Sequence, residues 1–126
     1  MKSLLSYRPV ERGDYGFLYE LLGRRNPKAN ITHREMPSWE EHIRFNDSHP
    51  YKEDYIIERD GNMVGRVYLT EHTIGIQTLD GSDEEVLQHF RHKGLQVEVA
   101  PSNKFYKQTL KKLGFKLLHE TWVDQQ

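Results

Sequence analysis

The stretch from Leu95 to Phe115, LQVEVAPSNKFYKQTLKKLGF, constrains the fold more than any other part of the chain. Leu95, Val97 and Val99 alternate with Gln96, Glu98 and Ala100, the period-two pattern of a strand. Pro101 has no amide to give to a sheet ladder, so the strand ends there. Ser102 or Asn103 then caps a helix by accepting from its first amides. In that helix Tyr106, Leu110 and Leu113 recur at helical spacing, with Phe105 and Thr109 beside them, and Lys104, Lys107, Lys111 and Lys112 fill the outer face. Gly114 suits the left-handed position that ends a helix, and the lysines of the last turn complement its dipole. Phe115 opens another extended run, FKLLHETWV.

The residues before Leu95 supply the other layers. SLLSYRPVER reads as a first strand limited by Pro9, and Asp14 as the cap of a helix whose apolar face is Phe17, Leu18, Leu21 and Leu22. Residues 26–36 are polar and loop-like. Ser38 opens a second helix with Glu41 three residues on, a capping-box spacing. YKEDYIIERDG, NMVGRVYLTE and TIGIQTLD form a meander of strands, with a hairpin signal at Asp60-Gly61-Asn62. GSDEEVLQHFRHKG then reads as a short helix. The order βααβββαβαβ implies an α/β chain with a mixed sheet and helices on its faces.

At 126 residues this is one domain, 1–126, able to bury most of its apolar surface without staples. The formal net charge of −1 gives no reason to expect nucleic acid or an acidic membrane as partner. The absence of cysteine excludes disulfides, thiolate metal sites and a cysteine nucleophile. MKSLLSYRPVER lacks a signal peptide's apolar region, and no run approaches a membrane span. The expectation is a cytoplasmic protein, a monomer or homodimer.

The Leu95–Phe115 stretch resembles the C-terminal half of the GNAT N-acyltransferase superfamily, whose members often carry an asparagine eleven residues before the glycine of a Leu-Gly-Phe; here Asn103 and Leu113-Gly114-Phe115 have that spacing. The remaining elements extend the resemblance over nearly the whole chain, and NITHREMPSWEEH, HPY, YII, VGRVYLT and IGI are similar to the subgroup that includes amino-sugar acetyltransferases. The resemblance implies a compact GNAT-like fold and acetyl transfer from acetyl-CoA to a small amine, such as an amino sugar or a modified nucleotide. It implies that Ile74, Gly75, Ile76 and Gln77 form the strand that pairs with the pantetheine arm, assisted by Asn103, with Gly81 and Ser82 on the pyrophosphate loop. His33, Trp39, His42 and Tyr68 are expected to line the acceptor pocket, with His49 and Tyr51 near them. A small aromatic core cluster is the competing reading of these rings.

The sequence departs from that pattern at its chemistry. Thr73 stands where a glutamate is frequent, so the candidate bases are Glu71 and His72; an imidazole titrates near neutrality, and adjacent strand residues face opposite ways. Leu110 stands where a thiolate-protonating tyrosine is common, and Tyr106, one turn earlier, is the substitute. Gly75 either admits a ligand or packs under a neighbouring aromatic. The loop Leu79-Asp80-Gly81-Ser82-Asp83-Glu84-Glu85 has one glycine, four carboxylates and no cation. Carboxylates suit a helix N-terminus and repel a pyrophosphate there. A second function class therefore stands beside the enzyme: a GNAT-fold binding or interaction module that has lost its cofactor loop. His89 and His92, three apart, lack an evident third metal ligand.

Overall fold

The computed structural model describes residues 4–24, 36–97 and 104–116. Strand β1 is Leu5–Pro9, and a 3-10 turn at Arg12–Asp14 leads into helix α1, Tyr15–Gly23. Helix α2 is Trp39–Asp47, followed by strands β2 (Glu53–Arg59), β3 (Asn62–Leu69) and β4 (Thr73–Thr78). Helix α3 (Asp83–Phe90), strand β5 (Gln96–Val97) and helix α4 (Lys104–Lys112) complete the described elements. The strand expected within FKLLHETWV, and the continuation of β5 through Ala100, lie outside the described residues.

The five described strands form one sheet in the order β1-β2-β3-β4-β5. Its first three steps are antiparallel, and the last is parallel, with Thr73 opposite Gln96 and Ile74 opposite Val97. Asp60 and Gly61 make the β2–β3 turn with φ of 54° and 78°. Those left-handed values match the twist of a two-residue hairpin, and glycine takes the second at no steric cost. Ile57 faces Gly65 and Glu58 faces Met63, which leaves Val64 as an extra, bulged residue. Beside the bulge β3 and β4 approach closely. A Cβ on Gly65 would stand 2.3 Å from the Gln77 carbonyl oxygen.

Strand alternation divides the apolar residues between two layers. Ile57, Val67, Leu69 and Ile74 pack with Val86 and Leu87 of α3 and with Leu95; Leu110, Leu113 and Phe115 close over them. On the opposite side Ile56 packs with Tyr15, Leu18 and Leu21 of α1, and Ile43 of α2 joins them. Helices therefore cover both faces, as the element order implies.

The helix ends follow local chemistry with one exception. Ser38 Oγ accepts from the Glu41 amide at 3.2 Å, and Glu41 Oε1 accepts from the Ser38 amide at 3.1 Å, the reciprocal capping box. Gly114 ends α4 with φ 93°. Asp14, expected to cap α1, reaches backward instead. It accepts from the Glu11 amide at 2.8 Å and from both terminal nitrogens of Arg8 at 2.8 Å. A bidentate, charge-assisted pair outweighs a single amide, so the chain enters α1 through a 3-10 turn.

Gly65→Ala should therefore lower stability by about 1–3 kcal/mol, because the obstructing atoms are backbone and must shift. Gly13, where an added methyl would meet nothing within 4 Å, is the control. Equal urea midpoints for Gly65→Ala and Gly13→Ala would show that the β3–β4 approach is not tight.

Candidate active site

The α1/α2 face of the sheet carries a continuous polar and aromatic cluster. Alternation places Arg66 and Tyr68 of β3 on this face, opposite Gln77 and Gly75 of β4. Arg66 pairs with Asp54 through Nε at 2.9 Å and Nη2 at 2.6 Å, and Nη2 also donates to Asn46 Oδ1 at 3.0 Å. Its guanidinium lies over the rings of Tyr51 and Tyr68, 5.3 and 5.7 Å from their centroids. Those two rings stack at 4.0 Å. Burial, with Tyr68 beside it, pushes the Tyr51 phenol up to about 12, so it stays neutral. Gln77 Nε2 donates to the Leu21 carbonyl at 2.5 Å, tying β4 to the last turn of α1.

His42 is buried within this cluster. Its Nε2 bonds the Tyr15 carbonyl at 2.9 Å, and Asn46 Nδ2 approaches its Nδ1 at 3.3 Å. The pair of contacts assigns the proton to Nε2. Trp39 stacks on the His42 ring at 5.6 Å, and Tyr19 lies 5.0 Å from it. His42 is therefore a core histidine holding α2 to α1, with both ring nitrogens engaged by the protein. Trp39, 41 % exposed, and Tyr68, half-buried, are the expected acceptor-lining residues that reach the edge of the cluster. His33 lies outside the described residues.

The strand expected to meet the donor is β4. Packing explains the lack of a side chain at Gly75: an added Cβ would stand 2.1 Å from the Tyr68 ring. The Thr70 amide donates to the Thr73 carbonyl and the Leu79 amide to the Val64 carbonyl. Alternation then directs the backbone groups of Thr73, Gly75 and Gln77 to β3. Ile74, Ile76 and Thr78 turn theirs the other way, toward β5, where the Gln96 amide already bonds the His72 carbonyl at 2.8 Å. Of the four expected strand residues, Ile74 is already paired with β5 opposite Val97, which leaves Ile76 as the one whose backbone turns to that side beyond the described pairs.

Glu71 and His72 occupy the exposed tip of the β3–β4 turn, which is tied by Thr70 Oγ1 and Thr73 Oγ1 at 2.5 Å. Tyr106 is at the other end of β4, near Asp83; burial and that carboxylate raise its phenol to about 12. Six strand residues, about 17–20 Å, separate the two ends, so the structure does not bring Tyr106 together with Glu71 and His72. Asn103 lies outside the described residues. At the loop after β4, Gly81 has φ 75°, which lets Asp80 Oδ1 accept from the Ser82 amide at 3.2 Å and the Ser82 hydroxyl at 2.5 Å. The Thr78 hydroxyl donates to Asp83. Arg59 donates from Nε to Asp80 and from Nη2 to Glu85, both at 3.2 Å.

Sequence reasoning missed Arg59 and the Arg66–Asp54 pair. The signal for Arg66 is its register, opposite in phase to Val67 and Leu69; nothing local identifies Arg59, whose partners are more than twenty residues away. The metal reading of His89 and His92 fails because α3 ends at Phe90, His89 stacks on Tyr7 at 4.5 Å, and His92 bonds the Lys93 carbonyl. Among the described residues no group of three or more His, Cys, Asp or Glu side chains is placed to hold a metal.

Burial lowers the His42 pKa from its ordinary 6.5, and the Arg66 charge adds to the shift, while the Tyr15 carbonyl opposes it. The unfolded chain therefore binds this proton more readily than the folded one. His42's contribution to stability is full above pH of about 6.5 and is lost as pH falls toward the lowered value. Ring resonances of His42 titrating at or above 6.5 would contradict that.

No protein-family model matches the chain, and no curated protein matches it. Solved structures do. A chimera of the spermidine N-acetyltransferase SpeG from Vibrio cholerae and hSSAT superposes with a TM-score of 0.73 at 19% identity, covering 97% of this chain and 89% of that one. The Vibrio cholerae spermidine N-acetyltransferase in complex with CoA and spermine gives 0.69 at 20% identity, covering 95% and 88%. RimL, the ribosomal L7/L12 alpha-N-protein acetyltransferase in complex with coenzyme A, gives 0.64 at 14% identity, covering 91% and 81%. With its five described strands in one mixed sheet and helices on both faces, the chain has the fold of the GNAT N-acetyltransferases.

Proposed function

We propose that this chain is an N-acetyltransferase that moves an acetyl group from acetyl-CoA to a small amine. The observation that carries the reading is the parallel β4–β5 step, beyond whose described pairs Ile76 directs its backbone amide and carbonyl to the β5 side, where an extended ligand can add to the sheet. The arm of the donor, with its own amides, fits that edge. Its pyrophosphate does not fit the carboxylate-filled turn that opens α3. Acetyl-CoA supplies an acyl group activated as a thioester.

The chain's residues divide the remaining work. Trp39 and Tyr68 present rings beside which a small acceptor can lie, and Gly75 makes room for the Tyr68 ring against β4. An ammonium must lose a proton to become a nucleophile, and Glu71 or His72, exposed near the start of β4, takes it through water. Tyr106, at the other end of the strand, is too far from Glu71 and His72 to act on the same thioester. An amino sugar or a modified nucleotide is the acceptor that the sequence resemblance favours, and the spermidine acetyltransferases of the same fold add polyamines to the panel. No described helix is long and apolar enough to cross a membrane.

The α3 turn favours a second reading, a GNAT-fold binding module without catalysis. The assay that separates the two is release of thiol from acetyl-CoA in the presence of amino sugars, modified nucleosides bearing a primary amine, and spermidine. The enzyme reading expects acceptor-dependent thiol release that falls by about 10²-fold or more in Glu71→Gln/His72→Gln. Release undiminished by that change assigns proton transfer elsewhere. No acceptor-dependent release across the panel leaves the binding module.

A further inference from the structure

Resting on the acyl-transfer reading, we infer that this chain recognises its acyl donor by the pantetheine arm and not by the pyrophosphate. The crossover from β4 through α3 to β5 puts the start of α3 at the carboxyl end of β4, where open α/β sheets take ligands. An anion held there needs amides or cations that point at it.

At this turn the chain fills that role itself. Asp80 holds the Ser82 amide and hydroxyl, and the Thr78 hydroxyl bonds Asp83. Arg59, arriving from the end of β2, is spent on Asp80 and Glu85. Glu84 is exposed on the first turn of α3. Burial raises the pKa of Asp83. Leaving Asp83 aside, Asp80, Glu84 and Glu85 outnumber the Arg59 charge among the described residues of this turn.

A pyrophosphate approaching it meets like charge. The amides of a pantetheine arm carry no charge and seek backbone partners, which Ile76, beyond the described β4–β5 pairs, turns toward the β5 side. The donor class that fits is therefore a pantetheine thioester whose nucleotide portion contributes nothing to selection.

The experiment is calorimetric titration of the full chain with coenzyme A and with pantetheine, at ionic strengths of about 0.01 M and about 0.15 M. The two ligands should bind within about threefold of each other. Coenzyme A binding should hold or tighten as salt rises, because screening relieves repulsion. Coenzyme A binding tenfold or more tighter than pantetheine, and weakening with salt, would overturn the inference and leave acyl transfer standing. Failure of both ligands to bind would overturn acyl transfer and this inference with it. Glu84→Gln/Glu85→Gln should tighten coenzyme A several-fold at low salt and leave pantetheine unchanged; Glu84→Gln alone, at an exposed position, serves if the double variant is unstable. No change in coenzyme A affinity in either variant would also overturn it.

Discussion

The two-residue turn at Asp60-Gly61 fixes the register on which every later contact depends. With both residues in left-handed conformation, β2 and β3 meet so that Ile57 and Val67 fall on the α3 side and Ile56, Arg66 and Tyr68 on the α1 side. A slip of one residue would exchange the two sets, sending Arg66 into the apolar layer under α3. A bulge at Val64 follows, and Gly65 beside it permits the close approach of β3 to β4. The same turn leaves Arg59 at the end of β2, within reach of the first turn of α3.

The polar cluster under α1 and α2 has a different energetic character from the core beneath α3. Arg66 and Asp54 are each mostly withdrawn from solvent, with side chains 14% and 22% exposed. Removing one member of a buried pair costs about 3–5 kcal/mol, whereas the intact pair against an apolar replacement is often near neutral. Its effect is orientation. The guanidinium holds Asn46 and lies over Tyr51 and Tyr68, which joins α2 and β3 in one wall. Tyr68 in turn lies across Gly75, which makes the wall continuous with β4.

Most of the described elements were legible in the sequence, because each is specified by neighbours within a few residues. The Ser38–Glu41 box, the Asp60-Gly61 turn and the glycine after α4 all act locally. Asp14 shows the limit: its capping signal was real, and a cation six residues back on β1 outcompeted the amides. The site was less legible for the same reason on a longer scale. The resemblance placed His42 in an acceptor pocket, with an aromatic core cluster as the competing reading, but neither could say that Tyr15 and Asn46 would use both ring nitrogens. The acidic loop was readable as acidic; that Arg59 would brace it was not, since β2 brings that charge from another part of the chain.

The central claim is that a donor lies along β4 and leaves the α3 turn untouched. Amide chemical shifts of the labelled protein, followed as acetyl-pantetheine is added, test it most directly. Shifts concentrated at Ile74 to Gln77, with Gly81 to Glu85 unmoved, are the predicted result. Shifts led by Gly81 to Glu85, with Ile74 to Gln77 silent, would contradict the account.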